Sequence, residues 1–113
     1  MSHSNVFLFE GESSWEDLGN GVQRKIFGYD EKLMLVKVKF EKGSVGVLHQ
    51  HHHSQVTYVE SGEFDMTIGD STKRIKTGDG YYVIPDVVHG VVCIEPGMLI
   101  DVFSPLREDF FSK

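Results

Sequence analysis

Turn signals recur at short intervals along this chain, and the segments between them have the period and composition of β-strands rather than helices. Residues 32–40 (KLMLVKVKF) set Val36, Val38 and Phe40 against Lys37 and Lys39, the alternation of a half-buried strand. Residues 55–60 (QVTYVE) and 63–68 (EFDMTI) flank Ser61-Gly62, which predicts a two-residue hairpin turn. Gly69-Asp70 leads into residues 71–76. Gly78-Asp79-Gly80 precedes the apolar run 81–84, which Pro85 stops. Residues 89–94 and 98–103 (MLIDVF) read as two more strands, separated by a turn at Glu95-Pro96-Gly97. Helix is expected only in two short pieces. One is at residues 13–18, capped by Ser13 or Ser14. The other follows Ser104-Pro105, over residues 106–111. Many short strands in a small chain predict a closed barrel or sandwich, and closure removes exposed strand edges.

The 113 residues suit one domain, residues 1–113, with one modest core. A formal net charge of -6 argues against nucleic acid as a partner, because phosphate recognition needs a basic surface. Any anionic ligand must then be captured by particular cations inside a pocket. The single cysteine, Cys93, allows no internal disulfide and reads as a small buried apolar residue. The apolar run at residues 6–9 ends at Glu10 and is too short for a signal peptide. No stretch approaches a membrane span. A cytoplasmic protein without membrane contact is expected.

Five of the six histidines fall in two places, four at residues 49–53 and one at His89. The spacing is His49-x-His51-x3-Gln55, with His89 beyond a Gly-Asp…Pro turn. Residues two apart on a strand share a face, so His49 and His51 can enter a barrel interior together. Gln55 opens the next strand, and His89 arrives from a distant one. Three imidazoles and one oxygen ligand form a site for a divalent first-row metal that leaves room for water or substrate. His52 and His53 are read as rim or loop residues, not ligands.

Two segments carry a family resemblance. Gly43-x5-His49-x-His51-x3-Gln55-x6-Gly62 resembles the first cupin motif, and Gly78-Asp79-Gly80-x3-Ile84-Pro85-x3-His89 the second. The fold so implied is all-β: a single-domain cupin barrel, a double-stranded β-helix or jelly roll. Most cupins have Glu where this chain has Gln55, which weakens the case for an Fe(II) oxygenase. Residues 15–22 (WEDLGNGV), 40–43 (FEKG), 89–92 (HGVV) and 101–110 (DVFSPLREDF) are similar to KdgF-type pectin-degradation cupins nearly end to end, and that group carries Gln at the fourth ligand position. The resemblance implies a cofactor of one divalent metal, Ni or Zn foremost, with Fe or Mn also compatible. It implies ring opening and ketonisation of 4,5-unsaturated monouronates, the products of pectate and alginate lyases.

Asp101 stands out as an acid inside an apolar strand, since Asp is depleted in strands and rarely buried without a partner. Alternation groups Leu99, Asp101 and Phe103 on one face and leaves open whether that face is inward. The resemblance assigns Asp101 to catalysis. Arg107 can fork onto a carboxylate, or pair with neighbouring Glu108 or Asp109. With the resemblance it is read as a substrate-orienting and catalytic residue, and Phe103 as a substrate-binding wall. Tyr58, Met66 and Tyr82 are expected to line the barrel. A homodimer sharing an edge strand is compatible with the sequence. The alternative to an enzyme is a metal-bearing cupin that only binds a sugar or other small molecule.

Overall fold

The computed structural model describes residues 3–111. Its strands are β1 (Glu16–Gly19), β2 (Val22–Tyr29), β3 (Met34–Phe40), β4 (Val45–His49), β5 (Ser54–Ile68), β6 (Ser71–Lys76), β7 (Gly80–Val83) and β8 (His89–Ser104). All pairings are antiparallel, in the order β1-β2-β3-β8-β5-β6, with β4 on β8 and β7 on β5. The architecture is an all-β jelly-roll barrel, as the sequence resemblance implies. Among the described residues the only helical pieces are 3₁₀ turns at Glu10–Glu12 and Glu108–Phe111, and no helix is long and apolar enough to cross a membrane.

The barrel is organised by two long strands. β5 runs 15 residues and β8 runs 16, paired along nearly their whole length. The first half of β5 and the second half of β8 lie between β7 and β3; their other halves lie between β6 and β4. Neither the hairpin expected at Ser61-Gly62 nor the turn expected at Glu95-Pro96-Gly97 exists. Both segments are bends within continuous strands, where the ladder slips register. They face each other, and the contact is too close for side chains: a Cβ on Gly97 would lie 2.5 Å from the Gly62 Cα. Gly62 also holds φ +90, which favours glycine. The same residues that signal a turn therefore serve as the barrel corner.

The helix expected at residues 13–18 is also replaced, by β1. Glu16 and Asp17 pair with Arg24 and Gln23 of β2, and Gly19, Asn20 and Gly21 all hold positive φ to turn between the strands. β2 is a strand that the sequence pattern above does not predict. At the C-terminus the Ser104 hydroxyl donates to the Lys32 carbonyl at 2.6 Å instead of capping a helix, and helical geometry begins only at Glu108.

The interior rows follow the pleat. Val22, Phe40, Val59, Phe64, Met66, Val91, Cys93 and Leu99 form the main core, and Met34, Val36 and Phe103 a second cluster. Phe64 is fully buried and stands edge-on to Phe40 at 5.4 Å. Burial of one such side chain contributes about 1.5–3 kcal/mol. Cys93 is a buried free thiol, as its apolar neighbours suggest.

Candidate metal centre

Three imidazoles meet at one end of the barrel. The ligand nitrogens of His49, His51 and His89 all lie within 4.8 Å of one another. His49 closes β4 and pairs directly with His89, the first residue of β8. His51 does not share a strand with His49, because β4 stops at His49. It reaches the site from the following loop, which is pinned where the Asp86 amide donates to the His51 carbonyl at 2.7 Å.

Each ring is oriented the same way. Nδ1 of His49, His51 and His89 donates to the carbonyls of Val47, His53 and Val87 at 2.8, 3.0 and 2.9 Å. A carbonyl can only accept, so Nδ1 carries the proton and Nε2 presents its lone pair to the centre. Burial favours the neutral form of two of these rings: it pushes His89 down to about 4 and lowers His51, with the Arg107 charge acting in the same direction on both. His89 Nε2 is buried with no hydrogen-bond partner. A buried lone pair without a donor is costly, and a cation relieves that cost.

Gln55 sits at the same point. Its Oε1 is 3.1 Å from His51 Nε2, while its Nε2 donates to Thr57 Oγ1 at 2.9 Å and to Asp101 Oδ1 at 3.4 Å. The amide nitrogen is thus held by acceptors, and the oxygen turns to the imidazoles. Three nitrogen lone pairs and one amide oxygen fit a first-row divalent metal. His52 and His53 stack on each other at 3.9 Å, and His53 Nδ1 is buried without a partner, but neither joins the group of three.

Asp101 lies on the inward face of β8 with Leu99 and Phe103, which are 2% and 3% exposed, whereas Val102 is exposed. The register sets Asp101 directly opposite Thr57, and Phe103 opposite Gln55. Thr57 Oγ1 donates to Asp101 Oδ1 at 2.6 Å. Burial pushes the Asp101 carboxyl up to about 6, against the Thr57 hydrogen bond and the Arg107 charge, which pull it down. A pocket of about 380 Å³ opens over this row, lined by His49, Gln55, His89, Asp101, Phe103 and Arg107.

Arg107 is buried and is held by Asp109, to which its Nε and Nη2 donate at 3.0 and 2.9 Å. It stacks 5.0 Å over Phe103 and 4.3 Å over Phe110. Met66 lines the pocket, but the expected wall residues Tyr58 and Tyr82 point outward, 52% and 54% exposed. Tyr81 lines the pocket instead, and burial raises its phenol above the usual range. Sequence reading missed Thr57, although period two from Gln55 puts both on one face. It also missed Arg24, which β2 carries into the same pocket.

Fold and centre together define a cupin. A cupin domain model matches residues 36–103. The pectin degradation protein KdgF of Dickeya dadantii (strain 3937) is 43% identical over 106 residues, 92% of this chain and 96% of that protein. The structure of KdgF from Halomonas sp. superposes with a TM-score of 0.90 at 38% identity, covering 95% of this chain and 99% of that one. An RmlC-like cupin from Shewanella frigidimarina NCIMB 400 gives a TM-score of 0.94 at 45% identity, over 97% and 99% of the two chains. This chain belongs to the cupin family and, within it, to the KdgF pectin-degradation proteins.

Proposed function

We propose that this protein is an isomerase-type enzyme that opens 4,5-unsaturated monouronates, released by pectate and alginate lyases, and converts them to the linear keto form. The kinship with a pectin degradation protein supports the substrate class. The observation that carries the chemistry is Asp101: an acid on the inward face, gripped by Thr57 and beside Gln55, on the wall of a pocket that also carries His49 and His89, two of the three convergent imidazoles.

Ring opening breaks the bond between C1 and the ring oxygen. C1 loses its hydroxyl proton and becomes an aldehyde, and the ring oxygen stays on C5 as an enol. Ketonisation then adds a proton to C4 and removes the enol proton, so the isomer is formed without any other reactant. Asp101 is the group that delivers and receives these protons, with a carboxyl raised toward neutrality for the task. Arg107 orients the substrate carboxylate and Phe103 packs on the sugar face. His49, His51, His89 and Gln55 would hold a divalent first-row metal, Ni or Zn foremost. A bound divalent cation supplies Lewis acidity toward a substrate oxygen.

The test is a lyase-coupled assay. Loss of the ultraviolet absorbance of the conjugated C=C–carboxylate, accelerated by the metal-loaded protein, is the expected result. A folded, metal-loaded protein that leaves the chromophore's decay at its uncatalysed rate overturns the reading.

A further inference from the structure

Arg24 is a charged residue on an interior row. It lies on β2, two residues from buried Val22, and both line the pocket that holds His49, Gln55 and Asp101. The cross-strand partners Phe40 of Val22 and Val38 of Arg24 line it as well, so this stretch of β2 and β3 is a continuous pocket wall. The Arg24 side chain is only 16% exposed. Its Nε donates to Glu16 at 3.0 Å, and its terminal nitrogens donate to no protein group among the described residues. Its guanidinium lies 3.9 Å over Phe110, and Arg107 lies 4.3 Å over the same ring. One aromatic ring therefore fixes the spacing of two cations at one pocket. Arg107 already binds the Asp109 carboxylate through two nitrogens, while Arg24 keeps both terminal groups for a ligand. In a chain of net charge -6, a poorly hydrated guanidinium with unengaged donors on a pocket wall is a specific anion receptor.

We infer that Arg24 is a substrate-binding residue that, with Arg107 across Phe110, forms a two-guanidinium receptor for the carboxylate of an acidic sugar. The inference rests on the uronate reading above and adds a binding residue to it. Arg24 makes no hydrogen bond to Asp101, so it acts on capture rather than on proton transfer.

Three variants test it: Arg24→Gln, Arg24→Lys and Glu16→Gln. Arg24→Gln is expected to raise KM for the unsaturated uronate by about 10- to 100-fold while kcat changes far less. Calorimetry with galacturonate, a saturated acid that carries no C4=C5 bond, should show the same loss of affinity. Arg24→Lys should recover part of both. Glu16→Gln breaks the same ion pair but leaves the guanidinium, so a ligand role predicts an unchanged or lower KM. A merely structural role predicts that it reproduces Arg24→Gln, and that result overturns the inference. An active wild type with unchanged KM and galacturonate affinity in folded Arg24→Gln also overturns it and leaves the enzyme reading standing. A wild type that binds galacturonate through Arg24 without turning over the unsaturated sugar supports the receptor and removes the enzyme reading. A wild type that neither binds nor turns over removes both.

Discussion

His51 Nε2 and Gln55 Oε1 face each other at 3.1 Å, and neither brings a proton to the contact. The His51 proton is on Nδ1, donated to the His53 carbonyl, and the Gln55 amide nitrogen is turned to Thr57. Two acceptors at that distance repel unless a cation lies between them. The contact thus explains why Gln serves where a carboxylate would: its second atom is a donor, and that donor anchors the amide to Thr57 and Asp101.

A metal-content measurement follows from this geometry. His51→Ala and His89→Ala should keep the barrel by circular dichroism and lose bound metal. Gln55→Ala should retain metal with weakened affinity. Chelation of the wild type should lower its melting temperature, because a ligand present at 100-fold its Kd contributes about 2.7 kcal/mol. Full metal content in His51→Ala would remove that residue from the ligand set.

Asp101→Asn should keep fold and metal while lowering kcat by about 10²- to 10⁴-fold, since Asn fills the same space but carries no titratable proton. Arg107→Lys should separate from it by raising KM before kcat falls, because Lys keeps the charge and loses the planar fork. Thr57→Val leaves Gln55 and Asp101 short of a partner and should cost about 1–3 kcal/mol of stability, read from chemical denaturation. Wild-type rates in a folded, metal-loaded Asp101→Asn protein would exclude Asp101 from proton transfer.

Gly97→Ala should be among the most damaging single changes in the chain. Its Cβ would stand 2.0 Å from the Ser61 carbonyl oxygen and 2.5 Å from the Gly62 Cα, both backbone atoms with no room to yield. A loss of about 4 kcal/mol or more is expected. Gly43→Cβ-bearing changes make a useful contrast: Gly43→Ala meets nothing within 4 Å and bears only the strain of φ +81. Equal denaturation midpoints for the two variants would contradict the corner packing.

Glu10 ties the N-terminal segment to the sheet. It accepts from Lys25 at 2.8 Å and Lys37 at 2.6 Å, and these bonds hold its carboxyl down at about 2. Its folded pKa lies below the unfolded value, so its contribution is complete above about pH 4.5 and is lost as pH falls toward about 2. Lys25 is 2% exposed and depends on this partner. Glu10→Gln should therefore lower the denaturation midpoint at neutral pH, with the gap to wild type narrowing as pH falls through that window. A gap independent of pH would exclude the ion pair as its cause.

The strand alternation and the set of residues that share a face with Asp101 were legible in the sequence because they depend on the pleat, which puts every second side chain on one face. The pleat is local and needs no knowledge of neighbours, so Leu99, Asp101 and Phe103 could be grouped before their face was known. Tertiary structure decided which face that was, and it decided continuity. Ser61-Gly62 and Glu95-Pro96-Gly97 carry the chemistry of turns, but β5 and β8 pass through them because each bend packs against the other. Phase decided the aromatics: Gln55 and Thr57 point in, so Tyr58 points out, and Tyr81 rather than Tyr82 reaches the pocket. His51 left its strand yet kept its place, because the loop that carries it is fastened by Asp86. Arg24 and Thr57 became site residues only through pairing with β3 and β8. Register is set by hydrogen bonds between segments far apart in the chain, and no local pattern of residues contains it.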